Sequence, residues 1–196
     1  METNIEKVEE FMRSLKEDRF KPFAPFDITY ISNTNIIAVT SRGSNDIKIV
    51  DVKTKRVLKT YSLDSPCAGI TYTEERLMLC NKTGIHELNQ HDGLVKTIVS
   101  VNITSNAYVA FRGDKIYYTH LDNNSVTCCD FQGNIQWTFK NPKMTRPIGV
   151  TVDTAGNVFV AGRSSHNVVV ISQDLPTTQT TVVFDGWYRM AKLFDI

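Results

Sequence analysis

The chain has 196 residues, with 22 Lys and Arg against 21 Asp and Glu, a formal net charge of +1 and a pI near 7.7. That length is enough for one soluble domain with a substantial core, and the balanced charge argues against a strongly basic nucleic-acid surface, which shows as a pI above about 9 or as a clear basic stripe. Apolar runs are of strand length and the N-terminus METNIEKVEEFMRSLKEDRF is too charged for a signal peptide, so neither a membrane span nor secretion is expected and the default compartment is the cytosol.

Along the chain the first element is helical. Ile5, Val8, Met12 and Leu15 recur at helical steps with Glu and Lys between them, and Asn4 is placed to cap the start. This is the pattern of a short amphipathic helix, either packing at the terminus or the stub of a coiled coil. The two prolines of KPFAPF (21–26) then read as a linker, so residues 1–25 are set apart from the remainder of the chain.

From there the chain repeats. FDITYI (26–31), AGITYT (68–73), NAYVAF (106–111) and IGVTVD (148–153) each open a block, and their anchors Asp27, Gly69, Ala107 and Gly149 stand 42, 38 and 42 residues apart. A period of that size marks stacked supersecondary units. Within each unit the opening strand is followed by a second apolar run (IIAVTS, RLMLCNK, KIYYTHL, NVFVAGR), rich in β-branched and aromatic residues. A polar turn comes next (SRGSND, NKTG, LDNNS, GRSSHN), then a third strand and an outer fourth. Four strands per forty residues with no helical period predict an all-β fold, a β-propeller of four-stranded blades at 26–66, 67–105, 106–147 and 148–186.

The last full block, RPIGVTVDTAGNVFVAGRSSHNVVVIS (146–172), resembles the NHL repeat, with Pro147, Gly149, Asp153, Gly156, Asn157, Val158, Val160, Ala161 and His166 at matching places and Asn167 where that repeat usually carries Arg. Residues 26–186 as a whole are similar to the propeller half of tripartite-motif (TRIM-like) NHL proteins. The other blocks keep the apolar frame and lose most of the signature, the block at 67–105 most of all. No RING or B-box Cys/His module stands in the chain. Carrying the period forward from Gly149 puts the next anchor on Ala191, so residues 187–196 read as the start of a fifth blade. The six blades usual in that family would take roughly 240 to 270 residues. An incomplete fan would leave an apolar face and a strand edge bare at each end, which predicts self-association through exposed blade edges.

Candidate chemistry is sparse. Cys67, Cys80, Cys128 and Cys129 lack the paired spacing and histidine partners of a zinc site; in the repeat register Cys128 replaces Ile49 and Val170 while Cys129 replaces Val50 and Ile171, so the two should face opposite sides of one blade as small buried hydrophobes. His86, Glu87 and His91 spell H-E-x-x-x-H, one residue longer than the zincin motif and in strand context without the required helix. His120 and His166 fall at strand-end turns. Asn81, Asn102 and Asn123 head glycosylation sequons that lack a secretory route. A gluconolactonase-like metal ring is not formed, since Ile31, Thr73 and Phe111 stand in the other blocks where Asp153 stands in the fourth. Asp153 is read as a turn residue of D-x-x-G-N, and Trp137 as a packing aromatic. No cofactor or metal is expected.

What remains is a non-catalytic binding module, with contacts on the loops of one rim. The candidate contacts are Arg42, Ser44 and Asn45, Lys82 and Thr83, Asp122 and Asn123, and Arg163, Ser164 and Ser165, with Lys143 and Arg146 expected near the opposite rim. The resemblance implies a propeller that selects protein substrates for ubiquitin transfer, or one that binds RNA through a basic rim. The basic hairpin 50–59, with Lys53, Lys55, Arg56 and Lys59, lies between outer strands and reads as a solvated edge, so protein ranks above RNA as partner.

Overall fold

The computed structural model describes residues 23–32, 34–41, 43–73, 75–103, 106–172 and 179–183. The expected N-terminal helix and the expected fifth-blade start at 187–196 lie outside the described residues. Sixteen strands succeed one another in chain order: β1 (Pro25–Ile31), β2 (Ile36–Ser41), β3 (Asp46–Asp51), β4 (Arg56–Ser62), β5 (Cys67–Thr73), β6 (Arg76–Asn81), β7 (Gly84–Leu88), β8 (Val95–Ser100), β9 (Val109–Arg112), β10 (Lys115–His120), β11 (Ser125–Asp130), β12 (Ile135–Lys140), β13 (Pro147–Val152), β14 (Val158–Gly162), β15 (Asn167–Ile171) and β16 (Gln179–Val183). They make four antiparallel sheets, each taking four consecutive strands in order from inside to outside. The innermost strands β1, β5, β9 and β13 succeed one another around an axis, in a four-bladed propeller arrangement. Among the described residues no helix is long and apolar enough to cross a membrane.

The middle strands are apolar on both faces because both faces are covered. Along β6, Leu77 and Leu79 point to the first blade, joining Ala38, Ile47, Ile49 and Tyr61, whereas Met78 and Cys80 point to the third, joining Val109, Phe111, Ile116 and Tyr118. The period of two thus appears as a choice of neighbour instead of a choice between core and water. Leu77, Met78 and Leu79 are almost completely buried, and burial of such side chains stabilises by roughly 1.5–3 kcal/mol each. A third interface repeats the scheme, with Tyr117, Val126, Cys128 and Phe139 of the third blade against Val150, Val158, Val160, Val169 and Ile171 of the fourth. Cys128 faces the fourth blade and Cys129 the second, as the register required. Trp137 is half-buried against the same interface, its ring centroid 5.9 Å from that of Tyr117.

The outer faces of the first and fourth blades hold clusters of their own: Phe23, Ile37, Val39 and Val50 on one, Ala161 and Val168 on the other. These residues are buried, with the half-buried Ile28, Tyr30 and Val52 beside the first cluster and Ile148 and Phe159 beside the second. The outer strand β4 is exposed over Arg56–Thr60, and its Arg56 and Lys59 discourage strand addition at that edge.

Three of the four repeat anchors share a backbone irregularity. The β1–β2, β5–β6 and β13–β14 ladders each shift register, between Pro25 and Ile28, Cys67 and Ile70, and Pro147 and Val150, and Asp27, Gly69 and Gly149 lie inside those shifts. A bulge leaves polar backbone groups without ladder partners. Gly69 N–H turns instead to the third blade and donates to Ala107 O at 2.9 Å. Glycine is required by this approach, because a Cβ there would lie 2.6 Å from Tyr108 Cα and 2.9 Å from Ala107 O, whereas at Gly149 a Cβ would meet only Ala161 Cβ at 3.9 Å.

Gly69→Ala is therefore expected to lower stability by about 1–3 kcal/mol through backbone overpacking, and Gly149→Ala to change it by less than about 0.5 kcal/mol, measured as urea midpoints. Equal midpoints for the two variants would contradict the close seam. All four thiols are buried, and loss of solvation pushes Cys128 up to about 11 and Cys129 up to about 12. Ellman's reagent should then label none of them in the folded chain and all of them after denaturation; fast labelling of the folded chain would show that a blade interface opens.

Candidate functional site

An antiparallel blade returns to the same end after every second strand. The turns joining second to third strands therefore share one rim with the connectors that lead from an outer strand to the next blade. Ser44 and Asn45 lie in the β2–β3 turn, Lys82 and Thr83 in the β6–β7 turn, Asp122 and Asn123 in the β10–β11 turn, and Arg163, Ser164 and Ser165 in the β14–β15 turn, all on this rim. Arg42 lies outside the described residues. Lys143 and Arg146 stand on the connector from β12 to β13 and so belong to this same rim, not the opposite one. The sequence expectation failed there because it did not follow the parity of strand direction through the connector.

Hydrogen bonds fix the rim's backbone and leave its long side chains outward. Leu63 N donates to Asn45 O at 2.9 Å, and Val101 N and Ile103 N donate to Thr83 O and Lys82 O at 3.3 Å. Ser44 Oγ accepts from Asp46 N at 3.1 Å. Between the third and fourth blades the lacing is densest. Arg163 N and Ser164 N each donate at 3.1 Å, to Arg146 O and Thr145 O, while Ser165 Oγ accepts from Thr145 N at 3.1 Å. Asn167 Nδ2 donates to Lys143 O at 2.8 Å, and Arg146 N to Asn124 Oδ1 at 2.7 Å. Arg146 has φ 50°, Asn124 φ 49° and His166 φ 53°, left-handed values that a non-glycine residue adopts at a cost of about 1–2 kcal/mol. Ser165 is thus largely structural, whereas Lys82, Thr83, Asp122, Asn123, Arg163 and Ser164 are exposed, Thr83 with its Oγ1 donating to Asn81 Oδ1 at 2.6 Å.

A cleft of about 600 Å³ on the flank of the second blade is lined by Asp64, Ser65, Asn81, Lys82, His86 and Thr97. Its one imidazole is already committed. Asn81 Oδ1 accepts from Thr83 N at 2.9 Å and lies 2.8 Å from His86 Nε2, so that nitrogen carries the proton, while Nδ1 stands 3.1 Å from Thr97 Oγ1. Burial lowers the pKa of His86 and keeps the ring neutral. Glu87, next along β7, lies 3.5 Å from Arg76 Nε, and His91 is exposed in the following hairpin, so H-E-x-x-x-H does not converge.

Asp153 closes the expected turn: its Oδ1 accepts from Asn157 N and its Oδ2 from Asn157 Nδ2, both at 2.8 Å, and Gly156 N donates to Asp153 O at 3.1 Å. Asp130, Gly133 and Asn134 build the same turn between β11 and β12, a second D-x-x-G-N that the sequence reading passed over. Among the described residues no three His, Cys, Asp or Glu side chains converge as a metal site.

One carboxyl that composition does not flag is Asp27. It sits on β1 at the seam with β5, where its Oδ2 accepts from Ile70 N and its Oδ1 from Ile28 N, both at 2.9 Å. Two positions on, Thr29 Oγ1 accepts from Tyr72 N at 2.9 Å. Side chains of the first blade therefore supply acceptors for N–H groups along the innermost strand of the second. Asp27 as a residue is half-buried, but its carboxyl is the enclosed part, and desolvation raises its pKa from 3.8 to about 7 against the lowering effect of the two N–H donors. The available sequence signal was an acidic residue at an anchor where the other blades have Gly or Ala.

With the geometry in place, the molecule is a β-propeller. The family model of the beta-propeller repeat matches residues 142–168, which span the rim connector, β13, β14 and the start of β15. No curated protein matches the sequence. Among solved structures the chain is similar to a catalytically inactive virginiamycin B lyase from Staphylococcus aureus crystallised with quinupristin, at 18% identity and a TM-score of 0.66, covering 85% of this chain and 57% of that one. It is also similar to a nidogen/laminin complex, at 14% identity and 0.68, covering 82% and 64%, and to a protein of unknown function from Bacteroides caccae, at 12% and 0.63, covering 82% and 61%. At these identities the likeness is one of fold, and the chain spans less than two thirds of each.

Asp27 generates a pH test. The folded state holds this proton up to about pH 7, whereas the unfolded chain releases it near pH 3.8, so the contribution to stability is greatest below pH 4 and declines as pH rises toward 7. Asp27→Asn should remove that decline from the pH profile of the urea midpoint. A variant profile with the same slope as the wild type would assign the pH dependence elsewhere.

Proposed function

We propose that this chain is a non-catalytic protein-interaction module, acting as the substrate-recognition propeller of TRIM-NHL ubiquitin ligases does, in the cytoplasm. The observation that carries the reading is the rim shared by the β2–β3, β6–β7, β10–β11 and β14–β15 turns: its backbone is fixed by hydrogen bonds, and it presents outward polar side chains. Rigid strands bearing variable turns are how a propeller displays a recognition surface. Several groups that could do chemistry are in structural use: His86 is hydrogen-bonded at both nitrogens, Asp153 closes a turn and the four thiols are buried. A propeller neighbour solved as a nidogen/laminin complex supports protein binding, and the NHL-like residues of the fourth block support the family comparison. The lyase neighbour marks the enzymatic alternative on the same fold.

RNA is the second reading, favoured by the cations Lys140, Lys143, Arg146 and Arg163 at this rim. Against it, every Phe, Tyr and Trp among the described residues is buried or half-buried, which leaves no exposed platform for unpaired bases to stack on. Self-association through the first and fourth blades is a further mode of protein binding within the same reading.

A photo-crosslinking amino acid placed at Asn123 or Ser164, and separately at Gln132 or Thr154 on the other rim, tests this in a cell extract. The expected adducts form at Asn123 and Ser164, resist nuclease and yield to protease. Nuclease-sensitive adducts would move the assignment to RNA, and equal labelling from both rims would remove the case for a directed surface.

A further inference from the structure

We propose that the part of this rim between the third and fourth blades docks an acidic peptide segment of a protein partner, a proposal that rests on the interaction-module reading and names the chemistry of its site. Four cations gather there on three elements. Lys140 ends β12, Lys143 and Arg146 stand on the connector after it, and Arg163 opens the β14–β15 turn. The hydrogen bonds from Arg163 N to Arg146 O and from Asn167 Nδ2 to Lys143 O hold these elements side by side. All four side chains are exposed, and among the described residues none of them forms an ion pair. Asp122 is the one acidic residue in this sector among the described residues.

The rest of the surface uses its cations differently. On the opposite rim three of them reach across blade seams: Lys59 Nζ donates to Gln90 O and His91 O at 3.0 and 3.3 Å, Arg76 lies 4.5 Å over the Phe131 ring, and Arg112 donates to Thr154 O at 2.9 Å, while Arg76 also lies 3.5 Å from Glu87 of its own blade. That rim also intersperses Glu75, Asp92, Asp114 and Asp130 with its cations. On the recognition rim the first two blades offer Asp46 and Asp64 beside Lys82. Among the described residues this sector therefore joins four exposed cations to a single acidic neighbour, whereas the exposed Lys53 and Arg56 of the opposite rim stand beside Asp51.

A patch of this extent suits a short run of carboxylates. The two arginines offer planar forks that match carboxylates two bonds at a time, and the lysines add less directional attraction at its edge. The pinned connector keeps the array preorganised, which limits the ordering cost of binding. Complementary charge of this kind raises association rates and makes affinity depend on salt. Nucleic acid fits less well, because the sector offers phosphate contacts without exposed aromatic faces.

Fluorescence anisotropy tests the proposal on the full chain. The probes are a fluorescein-labelled peptide of about twelve residues built from Glu, Asp and Gly, a Gly/Ser peptide of equal length and an oligouridine of equal length, each titrated at about 50 mM and about 200 mM salt. The acidic peptide should bind at the lower salt and the Gly/Ser peptide should not. R146E/R163E should weaken peptide binding at least about tenfold, and R146N/R163Q by a smaller factor; Asn tolerates the left-handed backbone at position 146, so the second variant separates lost charge from lost structure. K53E/R56E, on the opposite rim, should alter binding by less than about twofold. Several results would overturn the proposal: no peptide binding by the folded chain, equal weakening from both rims, or an oligouridine that binds more tightly and is lost with the same arginines. A rim that crosslinks to protein and ignores the acidic peptide would sink this inference while leaving the interaction-module reading in place.

Discussion

Two-sided burial of the middle strands is the constraint on which the rest of this molecule depends. A sheet whose inner strands are apolar on both faces has no water-compatible side, so a middle blade is a stable folded unit only between its neighbours. Leu77 and Leu79 need the first blade while Met78 and Cys80 need the third, and a one-residue slip of β6 would exchange the two sets and unpack both interfaces at once. The polar edges of the innermost strands have to be satisfied within the same seams. Here the protein uses two solutions: backbone to backbone at Gly69 and Ala107, and side chain to backbone at Asp27 and Thr29.

The rim depends on this packing. Its turns inherit their positions from strands that cannot move independently, and hydrogen bonds to the connectors remove most of the remaining freedom. Side chains that emerge from such turns are displayed with little entropy left to lose on binding. The two rims consequently have different work. One uses Lys59, Arg76 and Arg112 to join blade to blade, and the other leaves Lys140, Lys143, Arg146 and Arg163 facing outward.

The propeller was legible in the sequence because the interval between the anchors and the strand-turn rhythm are local properties, visible without knowing what touches what. The opposite faces of Cys128 and Cys129 were legible for the same reason, since alternation along a strand needs only the register. The site was less so. The side of the connector carrying Lys143 and Arg146 depends on counting strand reversals. The left-handed backbone at Arg146 has no sequence mark, because the bond that holds it comes from Asn124, twenty-two residues earlier. Asp27 was visible as an anchor, but its enclosed carboxyl results from Ile70 N–H approaching from another blade, forty-three residues away.

Repeat proteins run the risk that similar modules pair in the wrong order while they fold. The seam between β1 and β5 answers that risk with a key. Asp27 and Thr29, two residues apart on one strand, meet Ile70 N–H and Tyr72 N–H, two residues apart on the other. At the places of Asp27 and Thr29 the later blades carry Gly69 and Thr71, Ala107 and Val109, and Gly149 and Thr151, so the carboxylate half of the key is cut once in four blades. The seam between the first and second blades thereby differs in chemistry from the seams that follow it, and a different repeat placed at β1 would leave Ile70 N–H without the carboxyl acceptor that it has here.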